Sequence, residues 1–269
     1  MDQADVIVVG LGMRLEHLTP ETEVAARSSR RVFYVSHIPG IRAVLESWCP
    51  DVTDLAAEFY RERKDRFESY KRMAARVLEA ALETTPVMLA LYGHPLILSH
   101  PTTLTLRNAP RLGLRVKVLP AVSSMDCLFA DLRIDPLASG IQMHEATELL
   151  LYRRPLLPDM AALVWQVGLL ETRLQTVNKQ SRPERLLRFR DHLLRFYPPQ
   201  HVVYSVATSV EPSSPAEIHR FPIADIPEHG PLLHPGTSLY IPPASVGTII
   251  DQELLRSLTS ESHLGMIVR

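Results

Sequence analysis

Short apolar runs rich in β-branched residues alternate with helical segments through the first 120 residues of the chain. The first run, Asp5–Val9, ends on the turn Gly10–Gly12, and further runs follow at Arg31–Val35, Val87–Leu91 and Arg115–Leu119. Runs of this length that are apolar throughout are typical of strands buried on both faces of a parallel sheet. Because these strands alternate with helices, the sequence predicts an α/β architecture with a mainly parallel sheet.

The second half of the chain alternates differently, and a turn of small residues near Leu119–Ala121 marks the boundary. We therefore expect two α/β lobes, residues 1–119 and 120–243, with a cleft between them and a short tail over 244–269. The strands predicted in this half are Ala161–Val167, His201–Ala207, Ile218–Phe221 and Ser238–Ile241. The helices predicted along the whole chain are Pro20–Ser29, Ile38–Ser47, Val52–Glu83, Pro101–Leu112, Met125–Leu132, Arg182–Tyr197 and Gln252–Leu258.

Composition excludes several classes of protein. The net charge of −1 gives no sign of a nucleic-acid partner, and the two cysteines are too few for a disulfide framework. No segment approaches the ~20 apolar residues that a membrane span requires, and the first apolar run is too short for a secretion signal. No cluster of histidine, cysteine and carboxylate residues has the spacing of metal ligands. We expect a soluble cytoplasmic protein without a metal site.

Three turns follow predicted strands and are candidates for a ligand site. The carboxyl ends of parallel strands meet at one edge, where ligands of α/β proteins bind. The turns Gly10–Gly12 and Tyr92–Pro95 both lie at this position. The third glycine of the dinucleotide fingerprint is absent, so a nicotinamide site is not expected. The turn Pro120–Ser124 offers two hydroxyls and free backbone N–H groups to a polar ligand, although simple helix capping would also explain its serines.

The segment Phe59–Tyr70 combines two phenols and a guanidinium in Tyr60, Arg66 and Tyr70. On one continuous helix Arg66 and Tyr70 share a side, whereas Tyr60 is rotated away from both. The three side chains converge only if the helix bends or begins after Tyr60. The alternative is structural, because the apolar residues from Phe67 onward follow helical spacing and also fit a buried helix face.

Taken in order, these motifs resemble the tetrapyrrole (corrin/porphyrin) methylase superfamily. Within it, the chain is most similar to the borosin type of S-adenosylmethionine-dependent methyltransferase, which N-methylates peptide backbone amides. The similarity covers roughly residues 5–243. The motifs that carry it are Val9–Gly12, the Tyr60/Arg66/Tyr70 spacing, Tyr92–Pro95, Leu119–Pro136, Glu145–Glu148, Gln166–Gly168 and Tyr240–Pro243.

The resemblance implies a two-lobed tetrapyrrole-methylase-like fold with the methyl donor, S-adenosylmethionine, bound in the cleft between the lobes. It implies that Tyr60 is the base or hydrogen-bond acceptor while Arg66 and Tyr70 polarise the amide oxygen, with the two tyrosines interchangeable in these roles. A nearby guanidinium is expected to lower a phenol pKa by favouring the phenolate. The residues implied in donor binding are Gly10, Gly12, Tyr92, His94, Ile97, Leu98, Ser123, Ser124, Gln166, Thr237 and Ser238.

Two departures from the family pattern shape the expected substrate. Most tetrapyrrole methylases carry aspartate at the position of His94, which argues against the corrin-type branch. Fungal borosins continue into a clasp and a hydrophobic core peptide that they methylate themselves, and Ser260–Arg269 does not resemble such a core. The resemblance therefore implies a separate, ribosomally made precursor peptide and an interlocked homodimer, with a heterotetramer as the form that includes the precursor. A small-molecule methyltransferase and a catalytically silent peptide-binding homologue remain the alternatives.

Overall fold

The computed structural model describes residues 4–176, 182–211 and 213–268 of the chain. Its first half contains a five-stranded sheet. The strands are β1 (Val6–Gly10), β2 (Arg31–Val35), β3 (Val52–Asp54), β4 (Val87–Leu91) and β5 (Val116–Leu119). All of them run parallel, in the order β3-β2-β4-β1-β5. The helices of this half are α1 (Pro20–Ser28), α2 (Ile41–Trp48), α3 (Leu55–Phe59), α4 (Arg66–Glu83) and α5 (His100–Asn108).

Helices cover both faces of this sheet, which explains why its central strands are apolar throughout. Every residue of β4 is buried. On one face, Val8 and Leu89 pack with Met73 and Val77 of α4. The opposite face packs against α1 and α2. The predicted α/β class is confirmed, and the sheet's parallel order brings the carboxyl ends of its strands to one edge.

The second half contains a mixed five-stranded sheet. Its strands are β6 (Ile141–Glu145), β7 (Ala161–Trp165), β8 (Val202–Ala207), β9 (Glu217–Pro222) and β10 (Ser238–Ile241). They lie in the order β6-β7-β10-β8-β9, with β6 and β7 parallel and the other pairs antiparallel. Two helices, α7 (Ala146–Leu151) and α8 (Pro183–Leu193), pack on one face. The other face is covered in part by α6 (Ser124–Leu132) through Leu128.

The segment 52–83, which the sequence predicts to be mostly helical, does not form one continuous helix. Val52–Asp54 is instead the edge strand β3, and α3 and α4 are separate helices. Two aspartates cause the division, because each caps a new helix N-terminus. Asp54 accepts hydrogen bonds from the backbone of Ala56 and Ala57, and Asp65 accepts one from Phe67. The turn between the helices is where the phenol and guanidinium side chains converge.

Three further elements were not predicted: strand β6, helix α7 and a second short helix in the tail. Strand β6 was not predicted, because its sequence Ile141–Glu145 is mostly polar and only partly buried. The tail contains two short helices, α9 (Gln252–Ser257), which agrees with the prediction, and α10 (Glu261–Ile267), which was not predicted. None of the helices in the described part of the chain is long and apolar enough to cross a membrane. The assignment of residues 1–119 and 120–243 to separate lobes stays a prediction.

Gly10 has no room for a side chain. A Cβ there would lie 2.5 Å from the Gly93 carbonyl oxygen, 2.6 Å from Ala121 Cβ and 2.9 Å from Pro95 Cδ. Gly10→Ala is therefore expected to destabilise the protein by about 1–3 kcal/mol, the usual cost of overpacking. The control is Gly265→Ala, because a Cβ at that exposed helical position meets nothing within 4 Å. Thermal unfolding measures both. Equal melting temperatures for the two variants would contradict this close packing of the turns.

Candidate active site

Three strand-end turns meet at the carboxyl edge of the first sheet. The turn after β1 pairs with the turn after β4, since the Gly93 N–H donates to the Gly12 carbonyl over 2.7 Å. The turn after β5 reaches the same place through Ala121, beside Gly10. Both Gly10 and Gly12 are buried, and a Cβ on Gly12 would collide with His17. These glycines bring the turns together, and their contact with the donor stays a prediction.

The turn after β4 presents several side chains to this edge. Tyr92 is 46% exposed, yet burial of its hydroxyl raises its pKa, so the ring lies open while the hydroxyl end is enclosed. His94 is half-buried, and its Nδ1 accepts a hydrogen bond from the Leu96 N–H at 3.2 Å. Leu98 has a left-handed backbone (φ 51°) and a 46% exposed side chain, and Ile97 is half-buried beside it. The turn thus offers an apolar rim with one open aromatic ring.

The two serines after β5 have different environments. Ser123 is buried and caps α6: its hydroxyl accepts from the Asp126 N–H, and Asp126 accepts from Ser123 in return. Ser124 is half-buried, and its hydroxyl has no hydrogen-bond partner within the described ranges. Capping therefore accounts for Ser123, while Ser124 remains free to bind a polar ligand.

These environments predict separate effects for the two serines. Ser124→Ala should weaken donor binding about five- to tenfold, the loss of one hydrogen bond, without changing the melting temperature. Ser123→Ala should instead destabilise the protein by about 1 kcal/mol, the usual loss of an N-cap. Isothermal titration with the donor product and thermal unfolding separate the two. The assignment fails if Ser124→Ala leaves donor affinity unchanged.

The second sheet contributes residues from adjacent strand ends. Gln166 follows β7 with a left-handed backbone (φ 60°), and Ser238 opens β10 opposite Trp165. Thr237 and Ser238 are buried, and the Thr237 hydroxyl donates to the Leu232 carbonyl at 3.1 Å. The Trp165 indole Nε1 is fully buried and has no hydrogen-bond partner in the described chain. At these strand ends the Thr237 hydroxyl is already hydrogen-bonded, whereas the Trp165 indole N–H has no partner among the described residues.

The structure brings Tyr60, Arg66 and Tyr70 together. Tyr60 follows α3, and Arg66 begins α4, so the break between the helices removes the angular conflict of a single helix. The Tyr60 and Tyr70 rings lie edge to face with centroids 6.3 Å apart. Beside them, the rings of Phe67 and His100 lie 5.9 Å and 5.8 Å from that of Tyr70. The three predicted catalytic side chains therefore form one cluster.

Arg66 is held at one end and free at the other. Its Nη2 donates to the Thr172 carbonyl oxygen at 2.8 Å. Its Nε is fully buried and has no acceptor among the residues that the structure describes. A buried guanidinium N–H without a partner costs free energy, and such orphaned donors are rare in folded proteins. An oxygen atom of a bound ligand would satisfy it.

The two phenols of the cluster are protonated at neutral pH. Burial raises the pKa of Tyr60, the neighbouring Tyr70 and Tyr92 raise it further, and Arg66 opposes them only in part. Burial also raises the pKa of Tyr70, but both Arg66 and hydrogen bonding with Tyr60 act to lower it. The expectation that Arg66 lowers the pKa of its partner phenol below the ordinary value is wrong, because loss of hydration is the larger effect.

Tyr92 is coupled to the cluster through its hydroxyl. The charge of Tyr70 raises the pKa of Tyr92, and that of Arg66 lowers it. His37 packs edge to face on the Tyr92 ring, with centroids 4.7 Å apart. Contact between Tyr92 and the methyl donor stays a prediction.

The sequence profile of the Tetrapyrrole (Corrin/Porphyrin) Methylases matches residues 5–209 of the chain. The chain belongs to this family. The family that the sequence resemblance implied is thereby confirmed.

Several relatives of this tetrapyrrole methylase are fusion proteins. One is a methyltransferase/ribosomally synthesized type I borosin cyclic peptide precursor, gjuMa of Gymnopilus junonius, which is 31% identical over 87% of this chain and 55% of its own length. A second, sveMA of Serendipita vermifera subsp. bescii, is 30% identical over 95% of this chain and 62% of its own length. The chain thus spans little more than half the length of these relatives.

Solved structures share the fold of this methylase. The methyltransferase CobJ superposes with a TM-score of 0.62 at 18% identity, over 91% of this chain and 96% of its own. The uroporphyrin-III C-methyltransferase of Thermus thermophilus, complexed with S-adenyl homocysteine, gives 0.60 at 18% identity, over 88% of this chain and 96% of its own. The predicted tetrapyrrole-methylase-like fold is confirmed.

Sequence reasoning missed two features of the methylase site. The first is Trp165, whose free indole N–H adjoins Gln166; its signal was an aromatic residue with a polar atom at the end of an apolar strand. The second is the segment 172–175, which pairs with 63–66 at the start of α4. This segment supplies the carbonyl that holds Arg66, and its sequence carries no periodic signal.

A cleft of about 260 Å³ adjoins the turns after β1 and β5, since Val122, Asp126 and His17 line it. None of the predicted donor or catalytic residues lines it, so we assign the site from the strand-end turns and the cluster. No group of residues in the described ranges could hold a metal ion. The cleft is lined by Arg14, His17, Asp126, Asp131, Thr208 and neighbouring residues.

Proposed function

We propose that this methylase transfers methyl groups from S-adenosylmethionine to backbone amides of a separate, ribosomally made precursor peptide. The single observation that carries the proposal is the buried cluster of two phenols around a guanidinium with an unpaired Nε. Methylation of a pyrrole ring carbon does not require such a cluster. The fusion of methyltransferase and peptide precursor in the names of the relatives supports the same acceptor class.

A backbone amide is a demanding acceptor. Its nitrogen lone pair is delocalised into the carbonyl, and its N–H is a very weak acid. Methyl transfer therefore needs a base near the N–H and hydrogen-bond donors near the oxygen, where negative charge develops. In this proposal the Arg66 Nε donates to that oxygen, which supplies the acceptor that this buried group lacks. A guanidinium suits the role because it stays charged at all accessible pH values.

The pKa shifts favour Tyr70 as the base. Burial raises the pKa of both phenols, but Arg66 is the largest effect that lowers the pKa of Tyr70 and the smallest of the effects on the pKa of Tyr60. Tyr60 then acts as the hydrogen-bond donor that stabilises the Tyr70 phenolate and the developing amide anion. This reverses the order that the family resemblance suggested, in which Tyr60 was the base.

The residues around the strand-end turns fit a methyl donor with an amino-acid end and a nucleoside. When bound, the donor supplies an activated methyl group on a sulfonium. The open Tyr92 ring can pack on the donor, and the free Ser124 hydroxyl and Trp165 indole N–H can bind its polar groups. Close packing of the turns excludes water from the transfer, and the fixed geometry aligns methyl and nitrogen. The other predicted donor residues remain part of this proposal.

The described tail helix α10 is a poor acceptor. Backbone N–H groups of the tail helix α10 donate within it, as Leu264 to the Ser260 carbonyl and Val268 to that of Leu264. An amide engaged in this way is not available for methylation.

We also propose a cytoplasmic homodimer, because apolar side chains such as Val246 and Ile250 are about 90% exposed in one copy of the chain. With a precursor bound to each subunit, the assembly is a heterotetramer, which light scattering tests.

Co-expression with candidate precursor peptides tests the function. We expect mass gains in steps of one methyl group in the peptide, which Tyr70→Phe reduces by about 10²–10⁴ while the enzyme still binds the donor product. Methylation of uroporphyrinogen but of no peptide would instead support a small-molecule methyltransferase, the alternative that the fold favours. Donor binding with no methylated product would indicate a silent peptide-binding homologue.

A further inference from the structure

Positively charged side chains surround the cluster on its outer side. We call this surface the basic rim and define it by six residues, Arg61, Arg63, Lys64, Arg173, Arg182 and Arg188. The first three lie in the turn between α3 and α4 together with Glu62, and all four side chains are exposed. The side chains of Arg173 and Arg188 are 64% and 75% exposed.

Backbone pairing makes the rim one continuous surface. The Arg63 N–H donates to the Gln175 carbonyl at 2.8 Å, and the Gln175 N–H donates to that of Lys64 at 2.7 Å. Helix α8 joins the same surface, because its Arg188 pairs with Glu171 at 3.0 Å, immediately before the paired segment. The cations are therefore held in place by main-chain hydrogen bonds rather than carried on a loose loop.

Acidic residues within this part of the structure balance only some of these charges. Arg173 pairs with Asp65, and Arg61 donates to the carbonyls of Ala57 and Tyr60. By contrast Arg63, Lys64 and Arg182 make no ion pair with any described residue. With Glu62 and Glu184 included, the segments 61–65, 171–176 and 182–188 hold seven cationic and four acidic side chains, an excess that the whole chain, with a net charge of −1, does not have.

We propose that the basic rim docks an acidic segment of the peptide that supplies the acceptor amide. This inference rests on the proposed function. The guanidinium of Arg173 lies 4.8 Å from the centre of the Phe67 ring, which in turn lies 5.9 Å from the Tyr70 ring, so a segment bound on the rim lies close to the cluster. Docking next to the chemistry raises the effective concentration of the neighbouring residues of the same peptide at Tyr60 and Tyr70. Complementary charges also accelerate encounter and select the partner.

A short acidic peptide fits this rim better than a nucleic acid. Asp65 and Glu171 lie between the cations of the rim, so its potential is interrupted. A nucleic acid presents evenly spaced phosphates and binds best to an unbroken basic stripe. Carboxylates on a flexible peptide can reach individual cations and avoid the intervening acids.

Binding of two synthetic peptides tests the proposal without the methyl donor. Both carry the same apolar stretch, followed by four glutamates in one and four glutamines in the other. Fluorescence anisotropy should show about tenfold tighter binding of the glutamate peptide at low salt, as three exposed charge pairs would give, and loss of this preference at high salt. Equal affinities at low salt would overturn the proposal.

Matched triple variants locate the effect. Arg63→Gln, Lys64→Gln and Arg182→Gln together should remove the preference. The control combines Arg30→Gln, Arg111→Gln and Lys117→Gln. These exposed residues lie near the amino ends of β2 and β5, and the control should retain the preference for the glutamate peptide. A preference that survives in the rim variant overturns the proposal, as does tighter binding of a single-stranded oligonucleotide than of the glutamate peptide. Methylation assays are separate, so a failed proposed function and a failed docking site give different results.

Discussion

Arg66→Ala is expected to lower the rate of methyl transfer at saturating peptide at least about a thousandfold. Removing one preorganised donor to a developing oxyanion costs about 10²–10³ in kcat, and here the lost group is also charged. The amide oxygen loses its only cationic partner in the cluster, and the pKa of Tyr70 rises further, because Arg66 is the charge that lowers it. Both changes act on the transition state rather than on the donor, so the affinity for the donor product should stay within about twofold.

Arg72→Ala is the matched control for this prediction. Arg72 lies on the same helix and is exposed, with its guanidinium 5.0 Å from the centre of the Phe59 ring. Its removal should change the rate less than about threefold. Arg66→Lys keeps the charge but not the planar fork, and should fall between the two. A thermal unfolding curve for each variant checks that the loss of the Arg66–Thr172 contact has not unfolded the enzyme. Normal methylation by folded Arg66→Ala enzyme would remove Arg66 from the mechanism.

The second large effect concerns Tyr70 and pH. Tyr70→Phe should reduce methyl transfer by about 10²–10⁴, the range for loss of a general base. Because burial raises the pKa of Tyr70 above its ordinary value, the phenol is protonated at pH 7 and its phenolate fraction grows tenfold with each pH unit. We therefore expect kcat/KM to rise about tenfold per unit between pH 7 and 9.5.

The highest pH at which this profile can be measured is set by the stability of the folded protein, which depends on pH through the tyrosine pKa values. The unfolded chain releases its tyrosine protons near pH 10, whereas the buried phenols hold theirs to higher pH, so stability falls as pH rises beyond that point. Measurements should stop below it. Residual transfer by Tyr70→Phe should lose the pH slope, while Tyr60→Phe should keep it at a lower rate. A slope that persists in Tyr70→Phe and disappears in Tyr60→Phe would assign the base to Tyr60 instead.

Much of the fold could be predicted because its signals are local. The runs Val87–Leu91 and Ser238–Ile241 agree with the structure at both ends, since buried strands must be apolar. The proline after Thr19 correctly predicted the start of α1. A helix that begins after Tyr60 was one of the arrangements considered, but strand β3 and the exact break were missed, because alanine and charged residues support a helix throughout and the two capping aspartates resemble ordinary surface residues.

The candidate site was only partly predictable, for a different physical reason. The sequence places Tyr60, Arg66 and Tyr70 near one another but cannot show that burial outweighs the guanidinium in setting the pKa of the phenols. That balance depends on how completely water is excluded, which follows from contacts distant in sequence. Thr172 lies about a hundred residues from Arg66 in the sequence. It contacts Arg66 through its backbone carbonyl, so the identity of its side chain does not indicate the contact.

The most direct test of the account is the position of the transferred methyl group. Tandem mass spectrometry of a peptide modified with isotopically labelled donor distinguishes a methyl on a main-chain nitrogen from one on a side chain or terminus. We predict labelled methyl groups on backbone nitrogens, and no label in a peptide whose acceptor amide is replaced by an ester. Label on a side chain, or undiminished label in the ester peptide, would contradict the proposal that this cluster activates a backbone amide.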